Sequence, residues 1–113
     1  FKMVKVLSLR LDSLLKILKL NKIDFLKIDV EGAELLVLRS LGEYISKVRY
    51  IWFEYIEKNY RKFNYSGLQL LDFLDKHGFS VYMLSENGSL YNIKDFQNLK
   101  NYSGNLLAVK NEE

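Results

Sequence analysis

The spacing of apolar residues changes repeatedly along the chain, and each change marks an element. Met3, Val4, Val6, Leu7 and Leu9 open it as a short β-like run. From Asp12 the spacing turns helical: Asp12 is placed to cap the first free amides, and Leu14, Leu15, Ile17 and Leu18 supply an apolar face. Lys16, Lys19 and Lys22 gather toward a stop at Asn21, where cations suit the helix dipole. Ile23, Phe25, Leu26, Ile28 and Val30 then form a near-continuous apolar run, which predicts a buried strand from Asp24 to Asp29. After Gly32 the period changes again. Leu35, Leu38 and Leu41, with Leu36 and Val37 widening the stripe, predict a helix from Ala33 to Leu41 ended by Gly42.

Val48, Tyr50, Ile51, Trp52 and Phe53 are strand formers, and the strand they predict ends on an acid, Glu54. Tyr55 to Tyr65 is polar, aromatic and basic, and reads as a loop or short irregular helix. Ser66-Gly67-Leu68-Gln69 is a capping box for a helix whose face is Leu68, Leu71, Phe73 and Leu74, with His77 in its final turn and Gly78 just beyond. Phe79, Val81 and Met83 alternate with Ser80, Tyr82 and Leu84, and the apolar character of Tyr82 and Leu84 predicts cover on both faces of that strand. Asn87-Gly88 is a hairpin signal, so Ser89 to Ile93 should pair back. Lys94 to Lys100 reads as an amphipathic turn or short helix. Asn105 to Lys110 is a final strand, with Leu106, Leu107, Ala108 and Val109 expected to be buried. Strands alternating with helices, then a hairpin and a strand, predict an α/β fold with a parallel sheet and an antiparallel edge.

Composition narrows the chemistry more than the fold. A chain of 113 residues, 49% of them hydrophobic, suffices for one domain with a real core. It begins at Phe1 inside an apolar pattern, so it reads as a segment of a longer protein. No apolar run approaches the ~20 residues of a membrane helix, and no signal-peptide pattern appears. The chain has no cysteine, which removes disulfides and thiolate chemistry and fits a reducing, cytoplasmic setting. With a single histidine, His77, a His-rich metal cluster is excluded. A net charge of +3 is too slight to argue for nucleic acid. The glycines are too scattered for a G-x-G loop, and no Ser, His and Asp spacing points to a triad.

Candidate chemistry concentrates in carboxylates at strand ends. In open α/β sheets ligands bind outside the carboxyl ends of the strands, and Asp29, Glu31 and Glu34 surround a glycine at one such end while Glu54 closes the next strand. Each has a structural reading beside the functional one. An acid at a strand end can simply face solvent, and carboxylates in a helix's first turn gain ~0.3 to 1 kcal/mol from its dipole. Glu54, ending an otherwise apolar strand, has to be satisfied by something. The Tyr55 to Tyr65 stretch, with Lys58, Arg61 and Lys62 among Tyr60, Phe63 and Tyr65, could contact substrate or be a solvated connector.

The string Lys27-Ile28-Asp29-Val30-Glu31-Gly32-Ala33-Glu34, with Leu11-Asp12 upstream and Glu54 closing a later strand, resembles the C-terminal half of the FkbM family of S-adenosylmethionine-dependent methyltransferases. The resemblance runs from about Val4 to Val109 and is sharpest across Leu26 to Leu38. It implies a Rossmann-like class I methyltransferase fold, with this chain a single partial domain holding the acceptor side of the cleft. The strands ending at Asp29 and Glu54 would be the fourth and fifth of that sheet, and the last strand would insert between the Val48 and Phe79 strands. The glycine-rich loop that cradles S-adenosylmethionine lies upstream in that family, so the chain alone is expected to bind this cofactor weakly. The implied reaction is O-methylation of a sugar or other polar hydroxyl acceptor. Asp29, Glu31 and Glu54 are the expected catalytic acids, and Glu34, Tyr55, Tyr60 and Arg61 the expected substrate contacts, with no metal, nucleic acid or membrane involved. Two other classes compete: a non-catalytic interaction module of the same fold, and a Mg²⁺-dependent phosphoryl site using Asp29 and Glu31 as oxygen ligands.

Overall fold

A computed structural model describes residues 3–112. Its elements in order are α1 (Leu11–Ile17), β1 (Ile23–Ile28), α2 (Glu34–Ser40), β2 (Val48–Tyr55), α3 (Glu57–Arg61), α4 (Gly67–Lys76), β3 (Phe79–Leu84), β4 (Leu90–Asn92) and β5 (Gly104–Lys110), with 3-10 turns at Gly42–Lys47 and Phe96–Leu99. The strands form one sheet in the order β1-β2-β5-β3-β4. The last strand therefore inserts between β2 and β3, antiparallel to both, as the family pattern implies.

The expectation of a mostly parallel sheet is corrected. Among the described residues only β1 and β2 pair in parallel, whereas the β2/β5, β5/β3 and β3/β4 pairings are antiparallel. The cause is topological. β1, β2 and β3 do run the same way, but the inserted β5 separates β2 from β3 and replaces one would-be parallel seam with two antiparallel ones, and the Asn87-Gly88 hairpin adds another.

Helix signals hold best where a cap is written out. Around α4 the Ser66 hydroxyl accepts from the Gln69 amide and the Gln69 side chain accepts from the Ser66 amide, the reciprocal box its sequence predicts. Gly78 takes φ +82° just past His77. At α1 the expectation fails: the helix begins at Leu11, and Asp12 sits inside the first turn, accepting from the next amide, Ser13, and pairing with Arg10. Nor does α1 reach Asn21. Lys19 adopts φ +57°, its amide donates to the Lys16 carbonyl and that of Leu20 to the Leu15 carbonyl, a Schellman closure built on lysine instead of glycine. The Met3–Leu9 run forms no strand and its apolar side chains are exposed, because no neighbouring strand among the described residues pairs with it.

Apart from Val48, buried at the start of β2 with the other parity, the strand residues of the core lie on one side of the sheet. Ile28, Ile51, Phe53, Phe79, Val81, Leu106 and Ala108 face Leu35 and Leu38 of α2, Leu70, Leu71 and Leu74 of α4, Leu15 of α1 and Leu99. On the opposite face, Phe25, Tyr50, Trp52, Leu107, Val109, Tyr82 and Leu84 follow the other parity of the same registers, and none is buried. Cover over Tyr82 and Leu84, and burial of Leu107 and Val109, are thus both corrected: no helix packs there among the described residues. The sheet is a two-layer arrangement with one open face.

Candidate functional site at the carboxyl ends of two parallel strands

The register Ile28↔Phe53 brings the ends of β1 and β2 side by side, so Asp29, one residue past β1, and Glu54, one residue further along β2, share the same edge of the sheet. β1 leads into a turn of unusual backbone. Glu31 takes φ +53° and Gly32 φ +113°, consecutive residues in conformations that side chains disfavour. Gly32 has a second reason to be glycine: a Cβ there would sit 2.5 Å from the Asn59 carbonyl oxygen, so the turn lies directly against α3.

Glu34 holds this turn closed. Its carboxylate accepts from the Gly32 amide at 2.9 Å and the Val30 amide at 3.3 Å, and the side chain is 1% exposed. Both amides belong to the turn that precedes α2, so the first residue of the helix ties that turn to itself. Glu34, expected as a substrate contact, is placed here as a buried clamp on the turn.

A stack of tyrosines ties the turn to β2. The Tyr65 hydroxyl donates to the Gly32 carbonyl at 2.6 Å and accepts from the Leu35 amide at 3.3 Å. The Tyr65 ring stacks on Tyr60 with centroids 4.9 Å apart, and the Tyr60 hydroxyl donates to the Glu54 carbonyl at 2.6 Å. Tyr55 meets Tyr60 edge-on at 5.6 Å. Tyr60, also expected to touch substrate, is placed completely inside this stack; burial drives its phenol pKa far upward, and the negative charge of Glu34 adds to this. These residues fix where the two strand ends sit relative to each other. Tyr65 carried no site expectation, and only its place in an aromatic-rich stretch marked it.

With Glu34 consumed by the turn, the acids left at the edge are Asp29, Glu31 and Glu54. Asp29 and Glu31 are exposed and Glu54 is half-buried, and none of the three side chains forms a hydrogen bond or ion pair among the described residues. They feel one another. Glu54 is pushed above the ordinary glutamate range first by desolvation and then by the charges of Glu31, Asp29 and Glu34. The structure thus gathers the sequence-predicted acids into one electronegative corner. Arg61, on α3, stands apart from them in an adjoining pocket with Tyr55. A cavity of about 490 Å³ at the far end of β2, beside Val48, Arg49 and Tyr50, contains none of these residues.

Such a corner can do two things: attract a cation and accept a proton. Among the described residues no group of three His, Cys, Asp or Glu side chains is arranged to hold a metal ion. No described helix is long and apolar enough to cross a membrane. No curated protein and no solved structure matches the chain. The family model described as the methyltransferase FkbM domain matches residues 2–81, a span that contains the acidic turn, the end of β2 and the tyrosine stack. This chain belongs to the FkbM methyltransferase domain family.

Proposed function

We propose that the chain forms the acceptor side of a Rossmann-like, S-adenosylmethionine-dependent methyltransferase that methylates a hydroxyl oxygen, on a sugar or another polar molecule, in the cytoplasm. The observation that carries this reading is the convergence of Asp29, Glu31 and Glu54, without partners among the described residues, at the carboxyl ends of adjacent parallel strands. The donor, when bound, supplies an electrophilic methyl carbon on a positively charged sulfur that leaves as a neutral thioether. An electronegative corner suits that cation, which is the respect in which these residues fit it; the glycine-rich cradle of the family is not encoded in this sequence.

Methyl transfer to a hydroxyl needs little acid-base power but does need a place for the proton. Glu54, with its pKa raised by burial and by like charge, is a stronger base than an ordinary carboxylate and is suited to take it. Asp29, exposed at the end of the neighbouring strand, is suited to orient the acceptor hydroxyl. Glu31, presented outward by its left-handed backbone, adds to the negative field. In the full-length enzyme, Asp29→Asn and Glu54→Gln should each lower turnover by at least ~10²-fold, the lower share typical of general-base catalysis, without loss of thermal stability. Normal methylation by both variants would make these acids structural.

A further inference from the structure

The end of β2 has a second side. Successive strand residues point to opposite faces, so Glu54 belongs to the open face while Tyr55 turns toward α3 and α4. There Tyr55 lines a pocket of about 350 Å³ with Arg61 at the end of α3 and Phe96, Gln97, Lys100 and Asn101 on and just after the 3-10 turn that comes after β4. The volume suits a small ligand.

Tyr55 is 5% exposed as a whole residue and its hydroxyl makes no hydrogen bond to any described residue, but no buried polar side-chain atom among the described residues lacks a partner, so this oxygen is open to the pocket and free to bond a ligand there. It is packed tightly enough against α4 that a Cβ on Gly67 would collide with its oxygen. Burial, with the nearby charge of Glu57, raises it to about 12, so it is a donor at neutral pH. Arg61 and Lys100 approach the same space from different elements, and neither forms an ion pair among the described residues. The acid at the pocket, Glu57, already accepts from the Gly67 amide at 2.6 Å. The walls therefore offer unpaired positive charge, a committed phenol donor, an aromatic surface at Phe96 and the amides of Gln97 and Asn101. That set matches a ring bearing hydroxyls and an anionic group.

We propose that this pocket binds a sugar-like polyol carrying an oxyanion, a sugar acid or a sugar phosphate, with Arg61 and Lys100 on the anion and Tyr55 on a hydroxyl. As the methyl acceptor this ligand rests on the function proposed above; its binding does not. The family match ends at residue 81, so Phe96, Gln97, Lys100 and Asn101 lie beyond it.

Calorimetric titration of the full chain, without methyl donor, tests this with glucuronate, glucose 6-phosphate, glucose and inorganic phosphate as probes. At least one anionic sugar should bind ten-fold or more tighter than glucose and than phosphate. Arg61→Gln and Lys100→Gln should each weaken it ten-fold or more, and Tyr55→Phe about three-fold, with unchanged melting temperatures for the two surface variants. Equal binding of glucose and the anionic sugars, binding of phosphate as tight as that of the sugar phosphate, or indifference to both cation substitutions would overturn the proposal. Anionic-sugar binding that is sensitive to Arg61 and Lys100 supports it even if the full-length enzyme transfers no methyl to that sugar, an outcome that would count against the methyltransferase reading alone.

Discussion

Glu54 holds its proton more tightly than a free glutamate because part of its hydration is lost and because Glu31, Asp29 and Glu34 repel the charge it would acquire. This fixes the sign of the linked stability effect. Between the ordinary glutamate pKa and the raised native one, the folded chain binds more protons than the unfolded chain, so ionising Glu54 weakens the fold as pH rises through that window. Glu54→Gln should therefore raise stability at neutral pH, and the gain should vanish once the pH falls below the ordinary carboxylate range. Urea denaturation of both proteins at neutral and acidic pH measures it, and a variant less stable at neutral pH would show that the carboxylate has a partner. The same residue loses activity and gains stability, which is what separates a functional acid from a supporting one. At this scale the sequence was informative about which acids matter and silent about which are consumed. Asp29, Glu31, Glu34 and Glu54 all stood at strand or helix ends, but only coordinates reveal that Glu34 folds back on the amides of Val30 and Gly32.

Between elements, the position of the acidic turn depends on a hydroxyl more than on hydrophobic area. Tyr65 joins the Gly32 carbonyl to the Leu35 amide while its ring stacks on Tyr60. Tyr65→Phe keeps the ring and leaves both backbone groups buried without that partner, which should cost about 1–3 kcal/mol. That corresponds to a melting temperature lower by about 4–8 °C per kcal/mol for a chain of this size. Tyr91→Phe, at an exposed tyrosine on β4, serves as the control and should change nothing measurable. An equal response from both would remove the special role of Tyr65. Elements specified by local chemistry were legible: the capping box of α4, the Asn87-Gly88 hairpin and the alternation in β3 all lie where the sequence puts them. Those decided by long-range partners were not. Tyr60 and Tyr65 read as loop aromatics because nothing local shows that their hydroxyls reach back to Glu54 and Gly32. Met3–Leu9 read as a strand because its pattern is right and only the missing neighbour is not visible in it.

Parallel strands are found almost always with both sheet faces covered, and here the β1/β2 pair is covered on one face only. The open face carries Phe25, Tyr50, Trp52, Leu107, Val109 and Tyr82, an apolar surface larger than isolated exposed residues would make. Trp52 is the only tryptophan in the chain, so its fluorescence reports this face without labelling. In dilute solution its emission should be red-shifted and readily quenched by acrylamide, and an apolar dye should bind. Phe25→Ser, at a side chain 57% exposed, should change stability by less than about 0.5 kcal/mol while weakening dye binding. Phe53→Ala, fully buried on the neighbouring strand but on the other face, should cost about 3–5 kcal/mol. The contrast between two phenylalanines of the same parallel pair is what a one-sided core requires. Blue-shifted emission shielded from acrylamide at every concentration, together with a large loss on Phe25→Ser, would mean that the face is covered within the chain itself. Shielding that appears only as concentration rises would instead show copies closing the face between them, and dilution should restore the quenching.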